Sequence, residues 1–463
     1  TAAVSDAVQQ LAGIPMTLGR VETVTFGDGG VDTITTLGGH DIVLGGHESD
    51  GINVGGGDNL VLGDDGVIDY VTADNNPADL DLVESTSTTQ YGGADTITSG
   101  AGSDLIIGGR YGDSITAKTG NNLVIGDSGK IAAAVSDAVQ QLAGIPMTLG
   151  RVETVTFGDG GVDTITTLGG HDIVLGGHEG DGIDAGEGDN LVLGDEGVID
   201  YVTADGNPAD LDLVESTSTT AAGGADTITS GAGSDLIVGG RYGDDINAGD
   251  GNNLVIGDSG KITAAVSDAV QQLAGIPMTL ARIETTTPAD GGIDMITAGT
   301  GIDIILGGQG GDTINAGNSA SSDIVIGDNG FAEFYDTSTG LGSLREIRTS
   351  DAFYGDRDII LTNDGSDVVL GGSGGDDIKA GTDDSRDVVI GDNGFALFDS
   401  RGLITEIRTT DPETGGNDDI IVGEGNDVVM GGIGSDYINV DRATGLPRSE
   451  EHTSEIQSRQ VIS

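Results

Sequence analysis

The chain has 463 residues, with 84 glycines, no cysteine, no tryptophan and a formal net charge of −59 from 77 acidic against 18 basic residues. That balance excludes phosphate-backbone binding as a main activity, because no basic patch is present to release counterions, and it disfavours anionic membrane surfaces. The missing cysteines exclude disulfide staples and thiolate metal sites, and no apolar run approaches the roughly 18 residues of a membrane helix.

Aromatics are 3% of the chain, so any core must be built from Val, Ile, Leu and Ala. Such an acidic chain repels itself and stays open unless cations neutralise it. Residues 1–28 read as a connector. The string "AAVSDAVQQLAGIPMTL" starts at Ala2 and returns at Ala133 and Ala264, an offset of 131 both times. Ala2–Glu48 matches Ala133–Glu179 letter for letter, and the third copy drifts after Leu280. Thr1 thus falls inside a repeat, and an interior piece of a larger protein is expected. Within this string "SDAVQQLAG" has a short helix as an alternative reading.

Residues 29–68 form the first of seven modules of about 40 residues, which start near Gly29, Gly92, Gly160, Gly223, Gly291, Gly355 and Gly415. Asp32, Asp41, Asp50 and Asn59 are nine apart, and so are Ile34, Val43, Ile52 and Val61. A nine-residue beat fits neither a 3.6-residue helical face nor a long alternating strand. It fits a short strand, a glycine-rich turn, then another strand, with glycine where the turn needs positive φ or close backbone approach.

The same beat places Asp95, Asp104 and Asp113 in module 92–131. It places Asp163, Asp172 and Asp181 in 160–199, and Asp226, Asp235 and Asp244 in 223–262. Module 291–330 holds Asp294, Asp303, Asp312 and Asp323; module 355–394 holds Asp358, Asp367, Asp376 and Asp387. The truncated module 415–447 holds Asp418, Asp427 and Asp436. Between the modules lie hairpin connectors at 69–91, 200–222, 331–354 and 395–414, and longer connectors at 132–159 and 263–290. They leave through strings such as "GVIDYV" or "GFAEFYD" and return through "LDLVES" (Leu80), "LGRVET" (Leu18, Leu149), "LARIET" (Leu280), "LREIRT" (Leu344) or "ITEIRT" (Ile404). Each reads as a β-hairpin excursion, with "NNPAD" (Asn75–Asp79), "TSTGLG" (Thr337–Gly342) or Arg401–Gly402 near its tip. The tail 448–463, "RSEEHTSEIQSRQVIS", abandons this grammar. It resembles the translation of a sequencing-library adapter and is read as an artefact, a helical cap being the alternative.

The stretches Gly307–Asn315, Gly371–Lys379 and Gly431–Asn439 follow G-G-x-G-x-D-x-U-x at every fixed position, U being a large aliphatic. Gly45–Asn53 has Glu48 where the third glycine belongs, and Gly108–Thr116 has Tyr111 there. In "VGGGDNLVL" Asn59 replaces the aspartate, whereas two later turns are two residues longer and restore Asp323 and Asp387. This pattern resembles the RTX (repeats-in-toxin) calcium-binding family. The resemblance implies an all-β parallel β-roll (a β-solenoid) with two nonapeptides per coil and Ca2+ ions held between turns. It makes the phased aspartates named above the metal ligands, with weaker binding at the irregular turns. The physics agrees: calcium is a hard cation that takes about six to eight oxygens from carboxylates and backbone carbonyls. Turns on one side recur every 18 residues, so Asp32 and Asp50 share one stack and Asp41 and Asn59 the other, with the aliphatics stacked inward. Turn chemistry alone explains an isolated Gly-Asp pair but not a phased set.

The "GDxG" that ends modules (Gly63–Gly66, Gly126–Gly129, Gly327–Gly330, Gly391–Gly394) reads as a bend into the hairpin or as one more ligand turn. His40, His47, His171 and His178 read as surface residues, since each pair is seven apart on different turns and later modules lack them. Gly-rich nucleotide-loop matches lack their lysine and helix, no serine sits in a nucleophile elbow, and the many carboxylate pairs lack the apolar surroundings of a raised-pKa pocket. No enzymatic activity is therefore expected. The expected role is a calcium-rigidified spacer of a secreted or cell-surface bacterial protein that folds on ion binding outside the cell. Alternatives are the repeat region of a secreted toxin or hydrolase, and an acid-rich protein of a high-salt cytoplasm. Expected partners are calcium ions, with no nucleic acid and no membrane insertion; any protein or glycan partner would bind through domains outside this sequence.

Overall fold

A computed structural model describes residues 10–439 except 12–13, 16–17, 25–26, 28, 74–78, 88–90, 135–146, 156–157, 159, 205, 207, 209, 219–221, 266–271, 274–275, 278, 318–319 and 336–342. Among the described residues every regular element is a β-strand. The chain divides into two compact units, Thr1–Thr227 with Gly275–Met278, and Ile228–Ala274 with Thr279–Ser463.

In the first unit, short parallel strands stack into two sheets. One face contains Thr33–Thr35, Gly51–Gly55, Thr96–Ser99, Ser114–Thr116, Thr164–Thr166 and Gly182–Gly186 in spatial order. The register is constant: Ile34 pairs with Ile52, Ile52 with Ile97, Ile97 with Ile115, Ile115 with Ile165 and Ile165 with Ile183. The second face contains Ile42–Leu44, Leu60–Leu62, Leu105–Gly109, Leu123–Asp127, Ile173–Gly177 and Leu191–Asp195. There Val43, Val61, Ile106, Val124, Val174 and Val192 form one row. From Ile52 and Val61 onward these aliphatics are at most 2% exposed, a ladder-like core one side chain thick. This is the parallel β-roll that the family resemblance implied.

The hairpins make a third layer. Gly66–Asp69 pairs antiparallel with Leu82–Ser85, Gly129–Ala133 with Leu149–Thr154, and Gly197–Asp200 with Leu213–Ser216. Successive hairpins also pair with each other, Leu82–Ser85 with Gly129–Ala133 and Leu149–Thr154 with Gly197–Asp200. A continuous antiparallel sheet results, with Ile68, Val83, Ile131, Val152, Ile199 and Val214 all at 0% exposure along one face. It lies over the second face of the roll: a methyl group on Gly129 would strike Ile125 Cδ1 at 2.5 Å. Second-face strands are therefore covered on both sides and read as unbroken apolar runs such as "LIIGG", while first-face strands such as "TITS" alternate between exposed and buried.

The second unit repeats this plan by itself. Ile246, Ile296, Ile314, Ile360, Ile378 and Ile420 are in register on one face, and Ile237, Val255, Ile305, Val325, Val369, Val389 and Val429 on the other. Its antiparallel layer pairs Gly260–Ala264 with Leu280–Thr285, Gly330–Phe334 with Leu344–Thr349 and Gly394–Phe398 with Ile404–Thr409. The Arg401–Gly402 tip is a tight turn in which the Gly402 N–H donates to the Asp399 carbonyl at 2.8 Å, with Gly402 at φ 75°.

The helical alternative for "SDAVQQLAG" is overturned where that string is described. Gln10–Leu11 is a strand paired antiparallel with Ile14–Pro15. The rest of the string, the tips at 74–78 and 337–342, and the tail 448–463 lie outside the described residues.

Candidate metal centre

Each roll coil has two turns, and each turn delivers one aspartate or asparagine to a stack. In the complete nonapeptides the fourth position is glycine in a left-handed conformation: Gly310 at φ 119°, Gly374 at 106° and Gly434 at 122°. Glu48, Tyr111, Glu179 and Tyr242 occupy the same place at φ 69–71°. The degenerate turns thus keep the left-handed backbone and bear the steric cost of a Cβ there.

The turn fixes where the next aspartate points. In the first unit, the backbone N–H groups of Asp32, Asp50, Asp95, Asp113, Asp163 and Asp181 donate in turn to Oδ1 of Asp50, Asp95, Asp113, Asp163, Asp181 and Asp226, at 2.6–2.7 Å. The second unit has the same chain through Asp244, Asp294, Asp312, Asp358, Asp376, Asp418 and Asp436 at 2.7–3.3 Å. The stack runs straight past the connectors: Asp50 and Asp95 are 45 residues apart, Asp113 and Asp163 are 50.

One oxygen of each carboxylate is thereby used. The other, Oδ2, is buried and accepts no hydrogen bond in Asp50, Asp95, Asp113, Asp163, Asp181, Asp294, Asp312, Asp358 and Asp376. A buried unpaired carboxylate oxygen is costly and requires a partner. The surroundings supply the rest of a cation's shell. A methyl group on Gly45 would fall between Asp50 Oδ2 and the Gly63 carbonyl oxygen; the same holds at Gly108 for Asp113 and Gly126, at Gly307 for Asp312 and Gly327, and at Gly371 for Asp376 and Gly391. Glycine there leaves a cradle lined by carboxylate and carbonyl oxygen, the hard donor set that calcium takes. Among the described residues no three His, Asp or Glu side chains converge on a metal position; the donors here are single carboxylates and main-chain carbonyls.

Burial makes these carboxylates reluctant to ionise by themselves. Desolvation pushes Asp95 up to about 7, Asp163 to about 8 and Asp294 to about 7. Asp113, Asp181, Asp312, Asp358 and Asp376 are raised well above the usual range by burial together with neighbouring aspartates in the stack. Arg20 pairs with Asp69, Arg151 with Asp200 and Arg282 with Glu333 on the outer antiparallel layer, and in the roll turns Arg241 pairs with Asp290 and Arg357 with Asp377.

The second stack alternates. Asp41, Asn59, Asp104, Asn122, Asp172 and Asn190 are joined N–H to Oδ1 at 2.6–3.1 Å. In the second unit Asp235, Asn253, Asp303, Asp323, Asp367, Asp387 and Asp427 follow at 2.8–3.1 Å. The two longer turns therefore bring Asp323 and Asp387 into line. Asp41 and Asp303 also hold a buried Oδ2 without a hydrogen bond. All the phased aspartates are buried except Asp32, which is exposed, and Asp41, Asp427 and Asp436, which are half-buried.

The GDxG corners, which read as a bend into the hairpin or as one more ligand turn, hold their aspartates as clasps. Asp64 accepts the N–H groups of Gly93 at 3.0 Å and Arg110 at 2.7 Å, both in the next module. Asp258 accepts Gly292 at 2.9 Å and Gln309; Asp392 accepts Gly416 at 2.8 Å and Ile433. Each corner is thus the bend into the hairpin, tied to the following module. The signal for it was the aspartate recurring after every "LVIG"-type run. His40 and His171 are exposed, and their Nδ1 atoms accept the Asp58 and Asp189 N–H groups at 3.1 Å. His47 and His178 are half-buried rather than surface residues: His47 packs edge-on against Tyr91 with ring centroids 5.4 Å apart.

A family model described as the RTX calcium-binding nonapeptide repeat (4 copies) matches residues 91–113, 107–130, 220–241, 229–261, 288–322 and 414–442. No curated protein matches the chain. Asp163, Asp181, Asp358 and Asp376 lie outside the matched segments yet stand in the same stacks as Asp113 and Asp312.

Proposed function

From the RTX calcium-binding nonapeptide repeats that this chain carries in several copies, we propose that it is a spacer or stalk of a secreted or cell-surface bacterial protein, structural rather than enzymatic, which folds when it meets calcium outside the cell. The observation that supports this reading is the ladder of buried Asp Oδ2 atoms, none accepting a hydrogen bond, from Asp50 to Asp181 and from Asp294 to Asp376. Bound calcium would supply the positive charge that this ladder lacks. Asp Oδ2 and the glycine carbonyls beside it would hold the ion, and the rigid turn would orient them. An extracellular-type site with Kd about 10⁻⁴ M gains about 1.4 kcal/mol at about 1 mM calcium. Many sites coupled through one stack multiply that gain, and at cytosolic calcium it vanishes. Export unfolded and folding outside follow from that difference.

Circular dichroism of the purified chain tests this. At about pH 8, where the stacked aspartates ionise, the β signal should be largely absent in chelator and should appear cooperatively with calcium. Magnesium, which wants near-octahedral coordination and dehydrates reluctantly, should replace calcium poorly even at about tenfold excess. Molar sodium chloride should not replace it, because screening acts generically. A full β spectrum in excess chelator, or its recovery with salt or magnesium alone, would sink the reading.

A further inference from the structure

We propose that Asn59, Asn122, Asn190 and Asn253 fill, with their own side-chain amides, the places that calcium takes at aspartate turns, so that the second stack carries ions only at its aspartates. This rests on the calcium reading above and sharpens it.

Each asparagine keeps the aspartate's structural duty. Its Oδ1 accepts the backbone N–H of the preceding rung: Asp41 on Asn59 at 3.0 Å, Asp104 on Asn122 at 3.0 Å, Asp172 on Asn190 at 3.1 Å and Asp235 on Asn253 at 3.0 Å. A backbone N–H only donates, so this contact fixes the carboxamide with its Nδ2 on the opposite side. There Nδ2 meets only oxygens. It donates to the carbonyl two residues back: Gly57 at 2.7 Å, Gly120 at 3.0 Å, Gly188 at 2.9 Å and Gly251 at 3.4 Å. It also donates to the carbonyl four back, Lys118 at 3.1 Å and both Gly186 and Gly249 at 3.2 Å. Asn59 and Asn122 reach the next rung as well, to Asp104 Oδ1 at 2.8 Å and Asp172 Oδ1 at 2.9 Å.

Carbonyl and carboxylate oxygens converging on one point make a cation's surroundings. An NH2 group with two protons satisfies them without an ion. An ionised aspartate in the same stack has no proton to offer, and Asp303 Oδ2 is left buried with no hydrogen bond. In the first unit the asparagines alternate strictly with aspartates, so no two second-stack aspartates are adjacent there. Adjacent aspartates begin with Asp303 and Asp323, where the turn also lengthens by two residues. The alternating part of the stack should therefore set at lower calcium than the all-aspartate part.

The test uses the full chain with Asn59, Asn122, Asn190 and Asn253 all replaced by Asp. Calcium bound per chain is counted by equilibrium dialysis, and β content is followed by circular dichroism. The variant should bind about four more ions than the parent and need several-fold more calcium for half its β signal. An unchanged ion count would overturn the proposal, since the asparagine turns would then already hold calcium through Oδ1. A second variant, Asp104→Asn with Asp172→Asn, covers failure of the first to fold. It should bind fewer ions and set at lower calcium; an unchanged count or a higher calcium requirement overturns the proposal. A parent chain that binds no calcium would instead remove the functional reading beneath it.

Discussion

Asp312, Asp376 and Asp50 occupy equivalent rungs but unequal turns. The first two follow Gly310 and Gly374, which adopt positive φ freely; Asp50 follows Glu48, held at φ 69°. A side chain in the left-handed region costs about 1–2 kcal/mol, a cost that the Gly310 and Gly374 turns do not bear. The Asp50 turn is thus already the poorer cation site. Replacing Asp312 or Asp376 by alanine should lower calcium affinity by about tenfold, equivalent to about 1.4 kcal/mol, and Asp50→Ala should lower it less. Calorimetric titration of the three variants decides; Asp50→Ala as the most damaging would reverse the ranking. This inequality was legible in the letters, because a nonapeptide with Glu or Tyr at its fourth place departs from the pattern. The amide function of Asn59 was not: Asn reads as a lost ligand until its Nδ2 is seen donating to Gly57 and Asp104.

At the level of strands, the nine-residue beat gave short strands separated by glycine-rich turns, and the family resemblance implied their two parallel faces. It left the third layer unread. "GKIAA" and "LGRVET" announce one hairpin, but the pairing of Lys130 with Glu84 joins positions a whole module apart, and nothing local encodes it. The overlooked signal was the contrast between "TIT" and "LVL" strands, since only a sheet covered on both faces can be apolar throughout. In Gly129–Ala133, Ile131 is therefore fully buried core, while Lys130, Ala132 and Ala133 are half-buried. Ile131→Ala should destabilise the calcium-loaded protein by about 2–5 kcal/mol, the usual cost of a buried Ile→Ala. Lys130→Ala, on the solvent side of the same strand, should stay within about 0.5 kcal/mol. Urea unfolding in saturating calcium compares them, and equal, small effects would show that the antiparallel layer is dispensable.

For the molecule as a whole, the raised aspartates make stability depend on pH in opposite directions with and without calcium. In chelator, Asp95 at about 7, Asp163 at about 8 and Asp323 at about 8 all sit above their ordinary value of 3.8. A carboxylate raised on folding contributes stability that is complete below its unfolded value and is lost as pH rises through its folded one. The calcium-free roll should thus be most stable near pH 4 and lose β structure between about pH 4 and 8. Calcium requires ionised ligands, so its stabilising increment should be large at pH 8 and vanish towards pH 4. Urea midpoints measured across this range with and without calcium test the crossing; calcium-free stability that climbs with pH would contradict it.

The uninterrupted stacking past connectors bears on how such a chain changes length over generations. One 131-residue copy contains four coils, at Asp32, Asp50, Asp95 and Asp113, and four antiparallel strands, Arg20–Glu22, Gly66–Asp69, Leu82–Ser85 and Gly129–Ala133. Four is even, so the strand that opens the next copy, Leu149–Thr154, runs in the same direction as Arg20–Glu22. Unequal crossing-over between copies as alike as Ala2–Glu48 and Ala133–Glu179 therefore inherits no phase error: the cross-section is conserved and only the length steps up or down. Excising residues 33–163, which joins Asp32 to Thr164 in a native-looking sequence, should leave a shorter chain with the same cooperative, calcium-dependent β spectrum. Excising only 42–50, half a coil, should not, because every later first-face strand would then arrive on the second face. A lineage built this way varies reach as a unary counter does, by adding or dropping identical strokes.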